Sequence, residues 1–370
     1  MGPMARIDLV DVCKTLRDSD TFTARGGGGR GSPFSIRDLS LRIPDGKTMV
    51  VLGPSGCGKT TLLKIIAGLI PPDSGHVRFD DVDAKDVPPG HRRIGMVFQS
   101  YALYPHVTSR SNVLSYFMFR RKTPELDAVK RAKYQRTSEL MGVDLEHLLD
   151  RKPPRLSGGE KQRVALGRCI TRDASLFLVD EPFANLDQAL REKYRVNLKI
   201  LLRQFDITTV YVTHDHHEAL ILADLIAVMD RGRIEQVGTP QEIYDTPENL
   251  FVAGFLNLHA GTPPLSLVAA RCLPAGAPLG DAWVGVRPED VDISKASRDE
   301  GVRGRVTEVV RFPAGNSTHV TVRVAEHEVH ALLSSGESPA VGEEAWLTFR
   351  RYHLFERESG RRLRSHASGA

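Results

Sequence analysis

The chain has 370 residues, 41% hydrophobic and 26% charged, with a formal net charge of +4. That length admits two domains with separate cores, and so small a charge over so long a chain argues against a nucleic-acid binder. Cys13, Cys57, Cys169 and Cys272 show no CxxC spacing, which argues against a zinc site or disulfide framework, and no apolar run has the length of a signal-peptide core or membrane span.

Along the chain, IDLVDV (7–12) predicts a strand and ARGGGGRGSP (24–33) a flexible hairpin connection. Its four glycines lack a Gly-Lys-Thr ending and open no helix, so they make no phosphate loop. FSIRDLSLRI (34–43) and TMVVLG (48–53) predict strands joined by the turn PDG; TTLLKIIAGL (60–69) predicts a helix and GMVF (95–98) a strand. A helical stretch from about 108 to 150 follows, in which KRAKYQR (130–136) is a solvated helix face. LFLVD (176–180), TTVYVTH (208–214) and LIAVMD (225–230) are further strands, and such alternation implies a mostly parallel sheet covered on both faces.

Near FVAGFLN (251–257) the pattern changes. The Pro-rich AGTPPLSLV (260–268) predicts a crossing linker, and four later segments between 283 and 355 alternate with period two between Gly and Pro turns. That predicts a small all-β, barrel-like or sandwich-like domain. Residues 261–370 carry fourteen basic and fourteen acidic residues, which leaves this domain without a basic field, and the tail 361–370 is expected to fray.

The chemistry is concentrated in a few places. GPSGCGKT (53–60) matches G-x-x-x-x-G-K-T after an apolar strand and before a helix. Its glycines let backbone N–H groups approach phosphate oxygens; Lys59 adds a charge to the β and γ phosphates and Thr60 a hydroxyl to Mg²⁺. Asp180 ends the strand LFLVD, where a carboxylate holds the hydrated metal, and Glu181 next to it is the candidate to polarise an attacking water. His214 ends a third strand as a donor to the γ-phosphate, and the Gln99 amide can reach both metal and water. LSGGEKQRVALGR (156–168) opens a second helix with Ser-Gly-Gly, a start that suits an anion.

In their order and spacing, GPSGCGKTT, VFQSYALYPH, LSGGEKQR, LFLVDEPFANLD and VTHDHHEA resemble the ATP-binding cassette (ABC) ATPases. The resemblance implies an α/β P-loop cassette at 1–250, with an antiparallel β subdomain and a helical subdomain near 102–155, followed by a β-rich, OB-like (TOBE) regulatory domain at 251–370. It implies that Gly53, Pro54, Ser55, Gly56, Cys57, Gly58, Lys59, Thr60 and Thr61 bind ATP, with Thr60, Asp180 and Gln99 at Mg²⁺. Glu181 becomes the catalytic base, His214 the switch histidine and Gln99 the Q-loop; Ser157, Gly158, Gly159 and Glu160 are the signature and Asp187 the D-loop.

The segments QVGTPQEIYDTPENLFVAGFLN, VGVRPEDV and YHLFERESGRRL narrow the resemblance to the ATPase subunits of bacterial sugar importers, with glycerol-phosphate, polyamine and iron importers sharing much of the pattern. It implies two transmembrane permease partners, an extracytoplasmic solute-binding protein, a second copy or a paralogous cassette, and a peripheral place on the cytoplasmic face of the inner membrane. Signature residues Ser157 and Gly159 then cap the γ-phosphate held by the other subunit.

Three positions depart from the pattern. Leu16 stands where the family has an adenine-stacking aromatic, for which Phe22 is the available substitute; His216 replaces a Gln, and Ser111 replaces a Glu before Asn112. Cys57 raises the prospect of alkylation sensitivity, against the plainer reading that this position needs a small residue. A cassette acting on chromosomes would carry long coiled coils between P-loop and signature, and this chain has no sustained heptads there. A ribosome-acting one would carry two cassettes, and a non-hydrolysing sensor would lack the set Glu181, His214 and Gln99.

Overall fold

The computed structural model describes residues 6–16, 35–118, 123–141, 148–172, 174–184, 188–205, 207–257, 262–273, 282–296, 301–312, 317–334 and 339–367. Phe22, the glycine run 26–29 and Asp187 lie outside them. The chain divides into two compact units, Met1–Pro240 and Gln241–Ala370.

The first unit is built on a six-stranded sheet. In chain order its strands are β3 (Thr48–Leu52), β6 (Ile94–Val97), β7 (Leu176–Asp180), β8 (Thr208–Thr213), β9 (Leu225–Asp230) and β10 (Arg233–Gly238), arranged β10-β9-β3-β8-β7-β6. Every pairing but β9–β10 is parallel. Strands β3, β7 and β8 are buried along their whole length, as expected where helices cover both faces. An antiparallel sheet of β1 (Ile7–Thr15), β2 (Ser35–Ile43), β4 (Ser74–Phe79) and the short β5 (Val82–Asp83) runs in the order β2-β1-β4-β5. Leu9, Leu41 and Val77 of this sheet join Val51, Leu178 and Val212 of the central sheet in one core, together with Leu62 and Ile66 of α1 (Lys59–Ala67).

The helical stretch expected from 108 to 150 is broken. Helix α2 (Ser109–Val113) has five residues, a 3₁₀ turn follows at Ser115–Phe117, and α3 (Pro124–Met141) begins at a proline, the residue best suited to a first helical turn. Fully buried Asn112 locks the preceding loop: its amide donates to the carbonyls of Tyr104 and Thr108 and its oxygen accepts from Tyr104 N. Val113 and Val164 of α4 (Gly158–Thr171) pack with Leu148, Leu149 and Leu156. Helices α5 (Gln188–Phe205) and α6 (His216–Leu222) flank β8 in sequence.

The second unit begins ten residues before the 250/251 boundary expected from sequence, within α7 (Pro240–Asp245). The reason is Arg287, which is buried. Its guanidinium lies 3.6 Å from the centre of the Tyr244 ring and donates to the carbonyls of Tyr244 and Leu256, so α7 and α8 (Leu250–Phe255) are tied to the strands beyond them. Those strands form two antiparallel sheets. One orders β11 (Ser266–Ala269), β12 (Ala282–Val286), β18 (Arg351–Glu356) and β19 (Arg362–Ala367); the other runs β13-β17-β14-β15-β16. In the latter, β13 is Val291–Ser294, β14 Val302–Phe312, β15 Ser317–Val324, β16 His327–Ser334 and β17 Glu344–Phe349. Alternating residues such as Val320, Val322 and Leu347 fill the core.

Two expectations fail here. Residues 362–367 do not fray: they pair with β18 in register Tyr352↔His366, whose rings stack 4.8 Å apart. The linker 260–268 ends in strand β11, because Ser266 and Val268 point into the core.

Candidate functional site

The carboxyl ends of four neighbouring parallel strands converge on one edge of the central sheet. Strand β3 leads into the loop 53–58, β8 into His214, β7 into Asp180 and Glu181, and β6 into the turn carrying exposed Gln99. Ligands bind at such edges because loops there can reach outward while the strands stay buried.

The loop 53–58 is shaped by close approach. A Cβ on Gly53 would lie 2.2 Å from the Met229 carbonyl oxygen, and Gly58, the N-cap of α1, has φ 114°, open only to glycine. No side chain caps α1 and its first turn holds no acid, so its leading N–H groups are left for a ligand. Lys59 is buried and turns its ammonium back to donate to the carbonyls of Gly53 and Pro54, at 2.8 and 2.9 Å. Thr60 Oγ1 donates to Asp180 Oδ1 at 3.0 Å. Burial pushes the Asp180 carboxyl up from its usual range, with the Thr60 hydrogen bond opposing that and the Glu181 charge adding to it. A buried carboxylate beside a hydroxyl is a hard-oxygen donor pair of the kind Mg²⁺ takes, and the uncapped helix start with Lys59 fits a triphosphate.

Glu181 has φ 39°, a left-handed backbone that costs a non-glycine residue about 1 kcal/mol. The distortion is held in place: Glu181 N donates to Val212 O of β8, and Glu181 O accepts from Ala184 N. The bend turns the carboxylate off the strand line, and its Oε1 meets His214 Nδ1 at 3.0 Å. Thus Thr60 with Asp180, and Glu181 with His214, are brought together as contacting pairs.

The second helix start differs from the first. Ser157 Oγ accepts from Glu160 N at 3.3 Å, and Glu160 Oε2 accepts from Ser157 N at 2.7 Å, a capping box closed on itself. The Ser157 N–H foremost, then the Ser157 hydroxyl, hold the Glu160 carboxyl below its usual range against its partial burial. Gly158 is half-buried and Gly159 buried in the first turn of α4. Sequence reading passed over Arg168 of α4, whose fork donates to the carbonyls of Tyr101 and Ala102 and so ties the signature helix to the turn after Gln99. Tyr101 OH in turn donates to Pro182 O. The only local signal was an arginine on the helix flank; its acceptors are backbone atoms 66 and 67 residues away.

The departures fall outside these pairs. Leu16 is half-buried directly after β1, Ser111 belongs to the Thr108 cap of α2, and burial pushes the His216 imidazole down. Cys57 is buried and its thiol is pushed up by that burial, the reverse of what a reactive thiolate needs.

A P-loop after a buried parallel strand, with a strand-end carboxylate against its threonine, defines a nucleoside-triphosphate-binding α/β protein. Residues 36–184 match the ABC transporter family and 284–355 the TOBE domain. The sn-glycerol-3-phosphate import ATP-binding protein UgpC of Rhizobium meliloti is 44% identical over 343 residues, 90% of this chain and 89% of its own. The trehalose/maltose import ATP-binding protein MalK of Thermococcus litoralis is 40% identical, covering 88% of this chain and 86% of its own. A dimeric post-hydrolysis structure of the ATP-binding cassette MJ0796 with ADP and Pi superposes at TM-score 0.52 with 29% identity, covering 63% of this chain and 98% of that one. This chain belongs to the ABC transporter family, as one of its ATP-binding ATPases. No helix among the described residues is long and apolar enough to cross a membrane.

Proposed function

We propose that this protein is the ATP-hydrolysing subunit of an importer for a sugar or a glycerol phosphate, acting as a pair of cassettes beneath two membrane permeases that receive solute from an extracytoplasmic binding protein. The observation that carries the ATPase role is the contact of Thr60 with Asp180 beside that of Glu181 with His214, on adjacent strand ends. The names of the relatives above, together with the xylose/arabinose import ATP-binding protein XacK of Haloferax volcanii at 39% identity, support the solute class. A peripheral place on the cytoplasmic face of the membrane follows from work under permeases.

In this reading the N–H groups of 55–61 cradle the phosphates, and Lys59 exchanges its two carbonyl acceptors for phosphate oxygens. Thr60, Asp180 and Gln99 would hold Mg²⁺, which when bound neutralises phosphate charge. Glu181 accepts the hydrogen of a water aligned with the β–γ bond. His214 holds the Glu181 carboxylate and donates to the γ-phosphate as the bond to the bridging oxygen breaks. The Ser157 hydroxyl, which accepts from Glu160 N, can bond a phosphate presented by a second copy by exchanging its contact with the Glu160 carboxyl for one with phosphate oxygen. The second unit serves as the regulatory module.

Glu181→Gln in the full chain tests the assignment: ATP should bind as before while phosphate release stops. Phosphate release at the unaltered rate would overturn it. The solute follows from which compound, sugar or glycerol phosphate, stimulates hydrolysis by the complex isolated in mild detergent.

A further inference from the structure

We infer that Arg195 is a positioning residue for His214: through Asp215 and Glu218 it holds the loop that sets the imidazole against Glu181. This rests on the role proposed for His214. The imidazole itself is half-exposed and its one described partner is Glu181, so its place depends on its neighbours in the chain. Both neighbours are clamped. Thr213 Oγ1 donates to Glu218 Oε2 at 2.7 Å and accepts from Asp215 N at 3.0 Å. Asp215 Oδ1 caps α6 by accepting from Glu218 N at 3.1 Å.

The remaining oxygen, Asp215 Oδ2, accepts from Arg195 at 2.5 Å, and Arg195 Nε lies 3.9 Å from Glu218 Oε1. Tyr211 OH donates to the same Glu218 oxygen as Thr213, at 2.7 Å. Arg195 and Glu218 are 8% and 4% exposed. Charges this deep are a poor device for stability, since apolar residues of the same volume commonly do as well. They are a good device for direction: the fork bonds Asp215 and keeps Glu218 within ion-pair range, while Arg191, 3.6 Å from the same Asp215 oxygen, is the longer of the two pairs. Arg195 belongs to α5, so the ion pair ties this helix to the loop that carries His214.

The test is a mutant cycle on the full chain, with kcat from phosphate release and ATP affinity from calorimetry. Arg195→Met should lower kcat by roughly ten- to a hundredfold, the scale of an ångström of misplacement, with ATP affinity unchanged. Because Arg195 acts through His214, the double variant Arg195→Met/His214→Ala should be no slower than His214→Ala alone. A wild-type kcat in folded Arg195→Met, or a double variant slowed by the product of the two single effects, would overturn the inference. Should Arg195→Met fail to fold, Asp215→Asn carries the same expectations, since asparagine keeps the cap of α6 and loses the ion pair. Normal hydrolysis by His214→Ala would instead remove the reading of His214 on which the inference stands.

Discussion

Gly53 is where the shape of the phosphate loop depends most sharply on a single missing methyl group. An alanine there would place Cβ 2.2 Å from the Met229 carbonyl oxygen and 2.7 Å from Cys57 Sγ. Carbon and oxygen rarely approach closer than about 3.3 Å, so roughly 1 Å must be found. Met229 cannot supply it, because it is fully buried in β9 between β3 and β10. The loop must move outward instead, at about 1–3 kcal/mol for an overpacked core position. That displaces the N–H groups that face the phosphates. At about 1.4 kcal/mol per tenfold, we expect Gly53→Ala to weaken ATP binding by roughly ten- to a hundredfold in calorimetry and to lower the melting temperature of the first unit by several degrees. Gly90→Ala is the control: its Cβ would meet nothing within 4 Å, and neither quantity should change. Wild-type affinity in Gly53→Ala would refute the reasoning.

Two further outcomes are expected. Gly159→Asp adds a carboxylate at the start of α4, where the helix dipole tolerates it, so the chain should fold and bind ATP as a monomer. It should fail to form the ATP-dependent dimer in sedimentation and fail to release phosphate; normal hydrolysis would end the shared-site reading. In the second unit, burial pushes the His353 imidazole down to about 4, with Arg287, Arg362 and Arg351 adding to the effect. A lowered folded-state value means that the unfolded chain takes up the proton first, so stability is intact above about pH 6.5 and is lost as pH falls toward 4. The full shift corresponds to about 3 kcal/mol, and roughly 2 after allowance for partial solvent screening. His353→Gln should flatten the acid limb of the second unit's melting curve by that amount, and a limb parallel to wild type would show that His353 is not responsible. Burial also pushes the stacked pair His319 and His330 down, so part of the acid loss should remain in the variant.

Where the loop 53–58, Asp180, Glu181, His214 and the Ser-Gly-Gly helix start stand in the fold was legible from residue type and spacing, because each lies at the end of a short local element. Strands β3, β7 and β8 were equally plain, since burial on both faces writes a continuous apolar run. What depended on distant partners was not legible. The strand at 362–367 exists because β18 offers it a pairing edge, and the second unit starts early because Arg287 reaches back to Tyr244.

The same division runs through the site. The sequence by itself determined that one helix start follows a P-loop and that another opens with Ser-Gly-Gly. Only the tertiary structure decided that the first is left uncapped, with Lys59 folded over it, while the second closes on its own serine and glutamate. It also set Glu181 into a left-handed bend and matched Arg168 and Arg195 to acceptors far along the chain. Local pattern encodes which groups can meet a phosphate. Which of them are free to do so depends on hydrogen bonds between segments that become neighbours only when the sheet forms.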